Sequence, residues 1–279
     1  MILKNILISS LFLLCHSPGK DSTPVLKNTN TEIAPAEMGR NELSNASGLR
    51  AISDKIAGAD TSAVLLKVMH IGDSHIKAGF FSQQLMEKLN AYYASKYRRN
   101  IFFDFQCFSK VGTKYSDYIR LAELDQQLID EQPDIVIISL GTNDAFSGSS
   151  RNNFYQKVDH LITKINQLSP KASIIITTPS DALKYDKVGK TYSVFPEIKN
   201  VANTLSAYAN EHNIACWDLY TIMGGENSMG GWVRSKLAGP DRIHFTAKGY
   251  DLLAEWFFTA FVNAIQNNLA IRQPVFSKN

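Results

Sequence analysis

The chain reads as one α/β domain, a three-layer α/β/α sandwich built on a doubly wound parallel sheet of five strands. Three observations predict this. Five short runs are apolar throughout rather than alternating, as strands covered on both faces are. Stretches of helical periodicity separate each run from the next, the pattern of repeated βα units. The 279 residues, 44% hydrophobic and 20% charged, suffice for one large core without internal repeats.

The elements follow in order. Residues 64–71 form a nearly unbroken apolar strand, and residues 80–97 a helix with Phe81, Leu85, Leu89 and Tyr92 on one face. Residues 101–108 are the second strand and 118–131 the second helix. Residues 134–140, between Pro133 and Gly141, make the third strand; a helix over 154–168 and a fourth strand over 173–178, stopped by Pro179, come next. A helix over 197–212, a short fifth strand over 214–217 and a closing helix over 246–267 complete the set. In the spatial order 2-1-3-4-5 the first and third strands are neighbours at the switch point, where open sheets bind ligands.

Ahead of the domain, Lys4 precedes an apolar stretch from Ile6 to Cys15 that is too short for a stable bilayer span. This reads as a signal peptide over residues 1–19, with Ser17 and Gly19 as small residues before cleavage. Cys15 offers lipid attachment as the alternative. The expected location is therefore periplasmic or extracellular, with the membrane met only through such an anchor. Residues 20–48, rich in Thr, Asn, Ser, Pro and Glu, read as a flexible linker, and 49–279 as the folded domain.

A net charge of +3 is too small to argue for nucleic acid as partner. Lys96 to Arg99 reads as a solvated helix end. Cys107 and Cys216 sit in strand-like runs and read as two buried, unbridged thiols.

Chemistry gathers in short blocks. Gly72-Asp73-Ser74-His75 closes the first strand, and Asp241-Arg242-Ile243-His244 follows the fifth. Together they supply a hydroxyl, an imidazole and a carboxylate, the groups of a Ser/His/Asp nucleophilic site. Gly112 follows the second strand, and Gly141-Thr142-Asn143-Asp144 the third. All stand at the carboxyl edge of the sheet. Each block alone has a plainer reading: Ser74 as a helix cap, the glycine and asparagine blocks as turns, Asp241 and His244 as a surface pair. Their joint placement on one edge favours catalysis.

These blocks resemble those of the SGNH/GDSL hydrolase superfamily. Gly72-Asp73-Ser74 matches its nucleophile block, Gly112 its glycine block, Gly141-Thr142-Asn143-Asp144 its asparagine block and Asp241-x-x-His244 its Asp-x-x-His block, over about 60–265. Residues 70–76, 217–225 and 241–250 are similar in wording to bacterial peptidoglycan O-acetylesterases of the Ape/PatB-like kind. The resemblance implies a flavodoxin-like fold and a secreted serine esterase that removes O-acetyl groups from a carbohydrate, with peptidoglycan as the expected substrate. It assigns Ser74 as nucleophile, His244 as base and Asp241 as its orienter. The oxyanion would be held by Ser74 N–H, Gly112 N–H and the Asn143 amide, with no metal or cofactor.

Three further residues are candidates for lining the substrate site: His75, which also reads as a helix start, Thr178 at the end of the fourth strand, and Trp232 in a glycine-rich stretch over 223–240. Trp232 could stack on a sugar face or fill a groove. His70 reads as a core histidine, and His160 and His212 as solvent-facing. No His/Cys/Asp/Glu cluster has metal-ligand spacing. Two rival functions remain: a short-chain lipid esterase or thioesterase of the same superfamily, and an inactive glycan-binding module.

Overall fold

In a computed structural model of the protein, the structure describes residues 39–58, 63–96, 101–148 and 150–271. The signal peptide, Cys15 and the linker up to residue 38 lie outside the described residues. A two-residue strand β1 (Leu43–Ser44) and a 3₁₀ turn over Ala46–Leu49 lead into helix α1 (Arg50–Ala57). Leu43 and Leu49 are buried, so the last ten residues assigned to the linker belong to the fold. Their apolar anchors are too widely spaced to register as an element.

The repeating part then begins. Strand β2 (Val64–Gly72) turns through the short helix α2 (Ser74–Lys77) into α3 (Phe80–Lys96), whose Phe81, Leu85, Leu89 and Tyr93 are buried. After β3 (Ile101–Ser109) come α4 (Tyr115–Ile119) and α5 (Ala122–Glu131). One helix is expected over 118–131, but two form. Lys164 donates to the carbonyls of Tyr118 and Ile119 at 3.1 and 2.8 Å, satisfying the end of α4 from another element so that the chain can break there.

Strand β4 (Ile135–Ser139) carries α6 (Thr142–Phe146) and α7 (Arg151–Leu168), and β5 (Ser173–Thr177) is followed by a hairpin of β6 (Leu183–Asp186) and β7 (Thr191–Val194). Helix α8 (Pro196–Glu211) opens on Pro196, whose fixed φ suits a first helical turn. Strand β8 (Ala215–Trp217), the short helices α9 (Leu219–Ile222) and α10 (Met229–Arg234), and the long α11 (Ala247–Ala270) end the described chain. Helix α10 lies inside the stretch expected to be loop.

Among the described residues the main sheet has six strands in the order β1-β8-β5-β4-β2-β3. Its five parallel strands have the expected order; the sixth, β1, is added antiparallel at the β8 edge. One apolar layer joins α1, α3 and α11 to one face, and a second joins α4, α7 and α8 to the other. Between them, Ser82, His70, Ser139 and Thr177 hydrogen-bond in a chain at 2.8–2.9 Å. His70 is fully buried, which pushes its imidazole down to about 3 and keeps it neutral. Of the two cysteines among the described residues, Cys216 is buried as expected, whereas Cys107 is exposed, because β3 is an edge strand. Three strands separate them, roughly 19 Å at the usual interstrand spacing, far beyond disulfide reach.

Candidate active site

The parallel strands deliver their carboxyl ends to one edge, and the first piece of the site is the turn leaving β2. A Cβ on Gly72 would lie 2.2 Å from Cγ1 of Ile76, so glycine is what lets the strand fold directly into α2. Asp73 caps the new helix, its Oδ1 accepting from His75 N–H at 3.0 Å. Ser74 therefore stands half-buried as the first residue of α2.

The second piece is a tight loop between α10 and α11. Ala238 bridges to Phe245, Gly239 N–H donates to the His244 carbonyl at 2.7 Å, and Thr246 N–H donates to the Leu237 carbonyl at 2.9 Å. Inside it, Asp241 Oδ1 accepts from the N–H groups of Ile243 and His244, both at 3.1 Å. This Asx turn carries Arg242 into left-handed backbone, φ 58°.

The two pieces meet. Ser74 Oγ lies 2.8 Å from His244 Nε2, and His244 Nδ1 lies 2.7 Å from Asp241 Oδ2, although serine and histidine are 170 positions apart. A carboxylate only accepts, so Nδ1 carries the proton, and the bare Nε2 is left to accept from the serine hydroxyl. Partial burial pushes the Asp241 carboxyl up, but the hydrogen bonds from the His244 ring and from the Ile243 and His244 N–H groups outweigh it. The net effect holds the carboxyl below its ordinary range. The arrangement can transfer a proton from hydroxyl to imidazole while a carboxylate stabilises the resulting cation.

The asparagine and glycine blocks stand beside it. Asn143 Nδ2 donates to Asp73 Oδ2 at 3.0 Å and to the Thr113 carbonyl at 3.1 Å. Both amide hydrogens thus have acceptors before substrate arrives, so Asn143 reaches an oxyanion only by sharing or releasing one. Gly112 is exposed at φ +76°, with nothing near the place a Cβ would occupy. Tyr118, on α4, stands beside the glycine loop. It is fully buried, and its hydroxyl donates to the Gly72 carbonyl at 2.5 Å and accepts from Lys110 N–H at 3.2 Å. It thereby ties the glycine loop to the nucleophile turn; no spacing in the sequence signals that contact.

The expected lining residues divide. His75 packs against His244 with tilted rings, centroids 4.8 Å apart, and its Nδ1 lies 3.2 Å from the Tyr250 hydroxyl. Burial, more than the neighbouring charges, lowers its pKa. His75 and Thr178 both line a cavity of about 50 Å³, together with Asp73, Phe245 and Tyr250. The Thr178 hydroxyl donates to Asp218 at 2.9 Å and accepts from Tyr220 N–H. Trp232 corrects the sugar-stacking expectation. It is fully buried, with its indole N–H donating to the Met223 carbonyl at 3.0 Å and its rings edge-on to Phe245 and Trp256. Helix α10 turns it inward, where it supports the residue after His244.

Asp144, beside Asn143, is buried with Oδ1 lacking a partner, and burial raises its carboxyl to about 6 against 3.8 ordinarily, despite a hydrogen bond from Tyr115 N–H. A raised carboxyl binds its proton more tightly when folded, so its contribution to stability is full below the ordinary value and lost as pH rises through about 6. The swing is ~3 kcal/mol. Asp144→Asn removes the buried charge. In urea titrations the variant should unfold later than wild type at pH 8, and most of that gap should be gone by pH 4.5; an equal gap at both pH values would contradict this.

Among the described residues no group of three or more His, Cys, Asp and Glu side chains could hold a metal ion, and no helix is long and apolar enough to cross a membrane.

The structure is similar to that of a peptidoglycan O-acetylesterase, with TM-score 0.68 and 16% identity over 80% of this chain and 97% of the other. It is similar to an acetyl xylan esterase at TM-score 0.54 and 19% identity, over 70% and 99% of the two chains. It is also similar to a two-domain esterase active on acetylated mannans, at TM-score 0.60 and 15% identity, covering 86% of this chain and 58% of that one. No curated protein is matched at the level of sequence. The family model for GDSL-like lipases and acylhydrolases matches residues 38–252, spanning β1 through the Asp-His loop into α11. The chain belongs to the GDSL-like lipase/acylhydrolase family of ester hydrolases.

Proposed function

We propose that the protein is a serine esterase that removes O-acetyl groups from a carbohydrate, with peptidoglycan as the leading substrate. The observation that carries this reading is the unbroken hydrogen-bond chain from Ser74 through His244 to Asp241 at the carboxyl edge of the sheet. Structural likeness to esterases named for acetylated peptidoglycan, xylan and mannan supports the substrate class.

In the proposed reaction Ser74 Oγ attacks the acetyl carbonyl as His244 Nε2 takes its proton. Asp241 holds the imidazole in place and stabilises its charged form. The oxyanion is met by the N–H groups of Ser74 and Gly112 and by the Asn143 amide; one such donor is typically worth ~3 kcal/mol in the transition state. The sugar hydroxyl leaves with the proton from His244. Water, deprotonated by the same imidazole, then releases acetate from Ser74.

The test is acetate release from O-acetylated peptidoglycan, acetylated xylan and short and long acyl esters. Acetate from the glycans with little turnover of long acyl chains is the expected outcome. Preference for long chains would replace the reading with a lipid esterase, and silence on every acetyl ester would leave an inactive module. Export through the apolar segment around residues 6–15, with soluble or Cys15-anchored product, belongs to the same proposal, and fractionation of producing cells checks it.

A further inference from the structure

The β6–β7 hairpin takes no part in the main sheet and lies against the Asp-His loop. Leu183 N–H donates to the Arg242 carbonyl and the Tyr192 hydroxyl to the Pro240 carbonyl, both at 3.1 Å. The Arg242 guanidinium lies 4.1 Å over the Tyr192 ring, and the Tyr185 ring packs 4.9 Å from Tyr192. Register places Leu183, Tyr185, Tyr192 and Val194 on one face. Leu183 is buried and fixes that face to the body, while Tyr185 is 46% exposed. A surface of guanidinium and two aromatic rings thus runs outward from a point two residues from His244.

The charge of the hairpin is one-sided. Lys184, Lys187 and Lys190 are exposed, Lys184 with its ammonium 5.1 Å over the Phe195 ring, and the half-buried Arg242 lies over Tyr192. The one carboxylate of the hairpin, Asp186, is occupied by the N–H groups of Val188 and Gly189 at 2.9 and 3.0 Å. Among the described residues none of these four cations is in an ion pair. Gathered like charges without a counter-charge repel one another. Bracing the Asp-His loop needs Leu183 and Tyr192, but neither an exposed Tyr185 nor lysines at the tip. An anionic chain laid along the hairpin accounts for both: rings beneath sugars, cations beside carboxylates.

We propose that the β6–β7 hairpin is a subsite for a carboxylate-bearing glycan strand, with Tyr185 under a sugar ring and Lys187, Lys190 and Arg242 facing its acidic groups. The inference rests on the glycan acetylesterase reading and narrows it, favouring acidic acetylated polymers such as peptidoglycan with its peptide carboxylates over neutral acetylated mannan.

Binding is measured by co-sedimentation of the full chain carrying Ser74→Ala, so that turnover plays no part. The probes are O-acetylated peptidoglycan sacculi, the same sacculi with carboxylates converted to neutral amides, and insoluble acetylated mannan. Native sacculi should bind most tightly, with affinity falling as salt rises. Amidation, or Lys187→Glu with Lys190→Glu, should weaken binding about fivefold or more, and Tyr185→Ala by a similar factor. Lys171→Glu, at the far end of the sheet, should change nothing. Equal binding of native and amidated sacculi overturns the proposal, and so does unchanged binding by hairpin variants that melt at the wild-type temperature. If the charge-reversed chain does not fold, the amidation comparison decides alone. Loss of the esterase reading would instead appear as absent acetate release by wild type with sacculus binding intact.

Discussion

Ser74→Ala should lower kcat for acetyl-ester hydrolysis by about 10⁴- to 10⁶-fold, the range seen when the nucleophile of a serine triad is removed. The methyl group keeps the first residue of α2 in place. Asp73 still caps His75 and still holds Asn143, because neither bond involves the serine hydroxyl. What disappears is the oxygen 2.8 Å from His244 Nε2. The change should leave the thermal midpoint close to wild type while active-site titration with an organophosphonate falls to zero. Retained turnover, or labelling at another residue, would remove Ser74 from the reaction.

Asp241→Asn should cost about 10⁴-fold in kcat for a subtler reason, tautomer rather than geometry. Asp241 Oδ1 is fixed by two backbone N–H groups and Oδ2 by the His244 ring. An asparagine there must keep its oxygen on the backbone donors, since an NH₂ group cannot accept from them. Its amide NH₂ therefore faces Nδ1 and forces that nitrogen to accept. The ring proton moves to Nε2, which then points a hydrogen at Ser74 Oγ and cannot take one from it. Activity in the variant should recover with rising pH, as hydroxide or the serine alkoxide bypasses the base. A loss of less than tenfold at neutral pH would show that Asp241 does not set the tautomer.

The sheet was legible because its strands are buried on both faces and so read as unbroken apolar runs, β4 and β5 most clearly. The blocks at its carboxyl edge could be placed once those runs were found. Three features escaped for different reasons. Strand β1 is two residues long and is held by tertiary contacts. The break between α4 and α5 is made by Lys164, more than forty positions later. Trp232 sits among glycines that look like loop, yet α10 forms there and turns the indole into the core. The hairpin did leave a signal, Leu183-Lys-Tyr-Asp and Thr191-Tyr-Ser-Val around a glycine-containing turn. What no spacing could reveal is that Asn143 spends both its hydrogens on Asp73 and Thr113, and that Tyr118 clasps the Gly72 carbonyl.

The small antiparallel strand at the β8 edge settles where the protein can be cut. Asn41 accepts from the Trp217 indole at 3.0 Å and donates to the Trp256 carbonyl at 2.8 Å, while Leu43 and Ser44 pair with Trp217 and Cys216. A chain shortened to residue 49, where the composition changes character, would strip that cover and leave the backbone of β8 bare. Bare strand margins recruit other molecules and precipitate. Recombinant versions of this hydrolase are best begun upstream of Gly39.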